Sequence, residues 1–172
     1  ALFVRDEFSY DTWIPGHERT YLVHELIHPA GSSAKAFSTT FAAVAGWLRL
    51  DFPEVEQVAR LNGDQLLLRT ARTEAMEQTA AWALHRPDGI VLTRSMARKY
   101  FGHDTPIGET IEVNRSNFMQ VTAVIEDMPS NTHLTASIFA SGLASFSGLT
   151  RLDAVQFAPG QVQSEDSRTY VQ

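Results

Sequence analysis

The 172-residue chain contains no cysteine. Disulfides, thiolate metal sites and a cysteine nucleophile are thereby excluded, while the compartment stays undecided between cytoplasm and bacterial periplasm. Runs of Lys and Arg are missing too. With 14 basic against 20 acidic residues and a formal net charge of -6, the chain lacks the electrostatic footprint of a nucleic-acid binder, and no nucleic-acid partner is expected. No apolar run approaches the ~18 residues that span a bilayer, and no charged-then-apolar leader opens the chain. The first residue is Ala1 and not Met, so a processed chain or an excised piece of a longer one is expected. Internal repeats and low-complexity tracts are absent. Gly102 and Gly108 fit no phosphate-binding loop, because neither the G-x-x-x-x-G-K pattern nor its strand-loop-helix order occurs.

What is present suits a globular protein. The hydrophobic fraction is 44%, and the length suits one domain or two small ones with a sizeable core. One string stands out chemically: His24-Glu25-Leu26-Ile27-His28 matches the H-E-x-x-H signature of zinc metalloproteases. On a helix its two histidines would lie with Cβ atoms roughly 5–6 Å apart, close enough to share one Zn²⁺. The local residues oppose that helix. Thr20, Tyr21, Val23 and Ile27 favour extended chain, and Pro29 would end a helix at the second ligand. In a strand over Thr20 to His28 the two rings stand about 13 Å apart at ~3.3 Å per residue, too far for one ion.

The opening "ALFVRDEFSYDTWIPG" reads as a lead-in segment ending in a Pro-Gly turn. After Pro29-Ala30-Gly31, Ser32 or Ser33 can cap a helix running to Asp51, with Phe37, Phe41, Val44, Ala45 and Leu48 on one face. Phe37, Phe41 and Trp47 at helical spacing suggest a core face before an aromatic binding box. Val55–Leu61 and Gln65–Arg72 read as a hairpin around Asn62-Gly63-Asp64. Residues 73 to 85, rich in Ala, Glu and Met, predict a helix. A short buried strand at Ile90–Leu92 leads into a helix capped by Thr93 and stopped by Gly102 in the left-handed conformation. Glu109–Asn114 and Phe118–Asp127 alternate as a hairpin around Arg115-Ser116-Asn117. From Ser145 onward the chain is poorly patterned, with Tyr170-Val171 the one strand hint. Unequal elements without regular βαβ alternation predict an α+β fold, mixed sheets with packed helices. Two subdomains are expected: 1–86 begins an outer one, 87–134 is an inserted strand-helix-hairpin unit, and 135–172 returns to complete the first.

Other chemistry is thin. His103-Asp104 and Glu126-Asp127 offer acids, but neighbours in a strand face opposite ways. The string Asp127 to His133 holds Asp, Ser and His without a nucleophile elbow, and a turn held by Asp and Asn side chains explains it. No catalytic, cofactor-binding or metal-binding residue is assigned.

Residues 90 to 134, "IVLTRSMARKYFGHDTPIGETIEV" followed by "FMQVTAVIEDMPSNTHL", resemble the extracytoplasmic (periplasmic) core domain of ABC transporter permeases of the MacB and FtsX type. The marks are the Val-Leu-Thr strand entering an Ala-Arg-Lys-Tyr-Phe-Gly helix, the Pro106-Ile107-Gly108 turn, and Asp127-Met128-Pro129 with Asn131 and His133 behind it. "VRDEFSYDTWIPGHERTYLV" is similar to the stretch after the first membrane helix of the long members, "FPEVEQVARL" matches as well, and "RTYVQ" resembles the segment leading back to the membrane. That register places "RTYLVHELIH" in the first strand. One departure is visible between Leu68 and Pro87, where the family carries a longer stretch with paired phenylalanines. Either a loop is deleted there or residues are missing from the sequence.

The resemblance implies a non-catalytic domain of a bacterial inner-membrane permease that needs no cofactor. Its implied partners are a cytoplasmic ATP-binding subunit, reached through transmembrane helices, and a periplasmic protein partner or substrate. Arg5, Asp6 and Glu7 would then lie in the aqueous layer near the membrane, with Phe3 and Phe8 at the boundary. Two other readings remain open: a secreted ligand-binding module, which predicts a signal peptide without membrane helices, and a zinc protease through His24, Glu25 and His28, which predicts stoichiometric metal and a third ligand.

Overall fold

A computed structural model describes residues 11–14, 16–41, 43–82, 86–149 and 167–172. The expectations for residues 1–10, and most of the poorly patterned tail, lie outside the described residues. After a 3₁₀ turn (His17–Arg19) come strands β1 (Tyr21–Leu22), β2 (Glu25–Ile27) and β3 (Lys35–Phe37), helix α1 (Val44–Asp51), and strands β4 (Val58–Arg69), β5 (Glu74–Trp82) and β6 (Gly89–Thr93). Helix α2 (Arg94–Phe101) follows, then β7 (Thr110–Val113), β8 (Asn117–Ile125), β9 (Ile138–Ser141) and β10 (Ser167–Val171). The fold is α+β.

Eight strands form one sheet in the order β1-β10-β4-β5-β9-β6-β8-β7, and β7 also pairs with β4 at Leu68–Val113 and Arg69–Glu112. The part from β4 to β7 therefore closes on itself. Its interior follows from the period-two alternation of strands. Leu66 and Leu68 on β4, Ile90 and Leu92 on β6, Ile111 and Val113 on β7, Met119 and Val121 on β8, and Ile138 and Ala140 on β9 all point into one buried cluster. Tyr100 of α2 completes it. Outside the ring, β10 lies along the first half of β4, and β1 pairs with β10 at Tyr21–Val171 and Leu22–Tyr170. The two ends of the described chain thus run side by side. Gln172 fixes the arrangement, since its backbone exchanges hydrogen bonds with Gln57.

The strand-helix-hairpin of 90–125 forms as its sequence predicts. Gly102 has φ 83 and its N–H donates to Arg98 O at 2.9 Å, the left-handed stop expected of a glycine there. Tyr170 and Val171 lie in β10. Several other elements differ. The strand expected over Thr20–His28 is broken at Val23-His24, with β1 joining the large sheet and β2 joining β3 in a separate two-stranded sheet. The helix expected from Ser32 or Ser33 starts only at Val44, because Lys35–Phe37 is drawn into pairing with Glu25–Ile27. Phe37 and Trp47 are accordingly exposed, at 42% and 53%, and form no core face.

The hairpin expected around Asn62-Gly63-Asp64 is one unbroken strand. Asn62, Gly63 and Asp64 pair in register with Ala81, Ala80 and Thr79 of β5, and Thr79 Oγ1 donates to Asp64 O at 3.2 Å. The helix expected over 73–85 is β5 as far as Trp82, and 83–85 lie outside the described residues. Helix propensity differs by only a few tenths of a kcal/mol per residue among these side chains. Pairing on both edges, with β4 and β9, outweighs it. β9 itself was not foreseen; Ile-Phe-Ala-Ser is a short apolar run buried along its whole length.

Candidate functional site

The H-E-x-x-H string is extended, not helical. His24 precedes β2, Glu25 to Ile27 form it, and His28 follows it. Among the described residues no three His, Asp or Glu side chains are grouped to hold a metal ion.

The string Asp127 to His133 does not assemble a triad. Asp127 turns away from the histidine and accepts the Ser95 N–H at 3.0 Å, at the first turn of α2. This contact replaces the expected Thr93 cap. Thr93 occupies the cap position with extended backbone, but its side chain makes no capping hydrogen bond. Hydrogen bonds from Ser95 hold the Asp127 carboxyl below the usual range. Glu126 pairs with Arg94, so both neighbouring acids serve the start of α2. Asp104 is held by Arg98, whose hydrogen bonds lower its pKa, and His103 Nε2 lies 2.8 Å from Glu109 Oε1.

The residue that organises the 127–133 turn is Asp11. Its N–H donates to Asn131 O at 3.1 Å. Its Oδ1 accepts from Thr132 Oγ1 at 2.6 Å and from the His133 N–H at 3.1 Å, and its Oδ2 lies 2.7 Å from His133 Nδ1. The turn was expected to be held by its own Asp and Asn side chains. Within it Thr132 takes such a part, accepting from Leu134 N–H at 3.1 Å. Burial pushes the Asp11 carboxyl up, but the hydrogen bonds from Thr132 and His133 outweigh it and hold the pKa below 3.8. Asp11 has φ 57, a left-handed conformation that aspartate tolerates better than most residues. Nothing in the local sequence announces this contact, since 121 residues separate Asp11 from Thr132.

Two clefts meet at His133. One, of about 410 Å³, is bounded by Asp11, His17, His24 and Tyr170. The other, of about 470 Å³, is bounded by Thr39, Gln78, Phe139 and Arg168. Arg168 of β10 donates from Nη1 to His133 O at 3.1 Å. The region is a polar meeting point of the incoming chain, the 126–133 loop and the outgoing strand, and among the described residues it presents an aspartate–histidine pair without an assembled nucleophile.

On the other side of the ring, Glu77 of β5 is nearly buried and accepts from Tyr100 Oη at 2.7 Å and Lys99 Nζ at 2.5 Å. Burial, then the hydrogen bond to Glu77, pushes the Tyr100 hydroxyl well above the ordinary tyrosine value. Thr70 and Thr73 donate to the carbonyls of Tyr100 and Lys99, satisfying the end of α2 from the β4–β5 loop. These groups brace the helix against the ring.

Comparison with known proteins places this architecture. A comparison with the curated proteins gives no match. Among solved structures, a domain assigned as a permease protein of Porphyromonas gingivalis is similar with a TM-score of 0.65 at 18% identity, over 92% of this chain and 74% of that one. The periplasmic region of MacB from Actinobacillus actinomycetemcomitans has a TM-score of 0.52 at 12% identity, over 78% of this chain and 65% of that one. The extracellular domain of the noncanonic ABC-type transporter YknZ from Gram-positive bacteria has a TM-score of 0.50 at 12% identity, over 78% and 73%. At such identities the likeness is one of fold. The family model described as the MacB-like periplasmic core domain matches residues 14–172, from the 3₁₀ turn through the last strand, and with nearly the whole chain inside that match, the protein belongs to the MacB-like periplasmic core domain family.

Proposed function

We propose that this chain is the extracytoplasmic domain of an ABC transporter permease and does no chemistry of its own. It receives motion generated by ATP hydrolysis at a cytoplasmic nucleotide-binding partner and passes it to a periplasmic protein partner or substrate. The observation that carries the reading is the pairing of the first and last strands of the described residues. β1 lies on β10, and the Gln172 backbone is hydrogen-bonded to Gln57, so an incoming and an outgoing membrane helix would meet the domain at one place. The family match over residues 14–172 supports the same reading. So does the engagement of Asp127 with Ser95, while His133 of the same string is held by Asp11 instead. The division at residues 87 and 134 belongs to the proposal as an organisation within one sheet: β6, β8 and β7 lie contiguously in it.

The test is the coding sequence on either side together with the activity of the assembled protein. An apolar run of ~18 or more residues shortly before Ala1 and another after Gln172 are expected, with ATPase activity only when the nucleotide-binding subunit is present. A gene that starts with a cleavable signal peptide and stops near Gln172 would replace this reading by the secreted ligand-binding module.

A further inference from the structure

We propose that the 126–133 loop is a mechanical junction that ties both ends of the domain to helix α2, and that Asp11 is the latch which closes it. Three anchors converge on this short loop. From the incoming chain, Asp11 makes four hydrogen bonds to Asn131, Thr132 and His133, using its backbone N–H and both carboxylate oxygens. From the outgoing strand, the Arg168 guanidinium holds His133 O. At the loop's other end, Asp127 holds the Ser95 N–H and Glu126 pairs with Arg94, both at the first turn of α2. Between the anchors Met128 packs against the cluster of Ala80, Ala136 and Phe139, so the loop has little slack.

The Asp11 end is the one suited to open. Its bonds come from a single left-handed residue that, among the described residues, lies outside any strand, whereas the Asp127 end stands just after β8, which pairs with β6 from Gln120 to Ile125. A left-handed non-glycine backbone is less favoured and persists where its surroundings over-determine it, here through the bonds from the loop. With the latch closed, a displacement of the incoming chain is carried along the loop to the start of α2. With it open, the incoming segment moves alone. The inference goes beyond the proposed function and does not depend on it, because it concerns coupling within this chain.

The test is amide hydrogen exchange by NMR on the 172-residue chain, comparing wild type with Asp11→Ala. The His133 N–H should exchange at least tenfold faster, and the Ser95 N–H should also speed up by severalfold although Asp127 and Ser95 are untouched. Amides within the ring, such as Leu66 and Leu68 of β4, should stay within twofold of wild type. Faster exchange at His133 with Ser95 unchanged would overturn the junction, and a uniform rise over the ring would reduce Asp11 to a residue of global stability. If Asp11→Ala does not fold, Thr132→Val, which removes one donor to the same carboxylate, is read by the same criteria with smaller factors. Absence of membrane helices in the full gene would leave these results as they are, so the failure of either proposal is seen separately.

Discussion

At the scale of single residues, the structure separates positions whose chemistry is backbone from those whose chemistry is charge. Gly102 is of the first kind. Its φ is 83, and a Cβ added there would stand 2.8 Å from the Arg72 guanidinium. Arg72 is flexible and can swing aside, so the backbone angle decides the cost. Gly102→Ala should lower stability by on the order of 1 kcal/mol in urea unfolding, and an unchanged or raised midpoint would remove the capping role. Tyr100 is of the second kind. Tyr100→Phe keeps the buried ring but takes one donor from Glu77, which retains Lys99, and a loss of about 1–2 kcal/mol is expected by the same measurement. Asp11 carries a pH dependence. Its pKa is depressed in the folded chain below the ordinary 3.8, so its contribution is present above that value and is lost as pH falls through the lower, folded one. Among the described residues His133 bonds it directly, and His17, His24 and Tyr170 share its cleft. Acid titration below pH 3.8 should therefore speed exchange at His133 N–H beyond the change expected from solvent pH alone, and Asp11→Asn should abolish that extra change.

At the scale of elements, ring closure and the two-stranded sheet give opposite expectations. Leu68 is fully buried and sits where β4 meets β7, opposite Val113. Leu68→Ala should cost about 2–5 kcal/mol and unprotect the Asn114 N–H, which bonds Leu67 O at 2.8 Å beside the seam. Equal protection at Asn114 would show that the hairpin and not the seam holds it. β2, by contrast, is three residues long, largely exposed and, among the described residues, paired with β3 alone. With its histidines on extended chain, protein purified without chelator should carry no stoichiometric zinc. One equivalent, lost on His24→Ala, would overturn the extended reading. Helix α2 shows how an element can be legible while its supports are not. Its residues, its start after Thr93 and its stop at Gly102 follow from local rules, but the groups that satisfy its ends, Asp127, Thr70 and Thr73, come from elsewhere in the chain.

At the scale of the whole molecule, the ring is built from strands far apart in sequence, β4 with β7 and β5 with β9, so folding must close long loops before those contacts form. Far-ultraviolet circular dichroism and tryptophan fluorescence should nevertheless report one coincident urea transition, because the 87–134 unit shares its core with β4 and β9. Two separated transitions would make that unit thermodynamically independent. The same remoteness separates what was legible from what was not. Residues 90 to 125 could be read directly, since a buried apolar strand, an amphipathic helix ended by glycine and an alternating hairpin are local patterns set by steric and hydrophobic periodicity. The family resemblance also lay in residues that local reading could quote. By itself the sequence determined those elements, the α+β class and the extended state of the H-E-x-x-H string, because each depends on neighbours a few positions away. Only the tertiary structure decided that Asn62-Gly63-Asp64 continues a strand, that an Ala- and Glu-rich stretch is β5, and that Asp11 grips Thr132 and His133. Local propensities there are worth tenths of a kcal/mol, and partners that are distant in sequence outweigh them once the chain has folded.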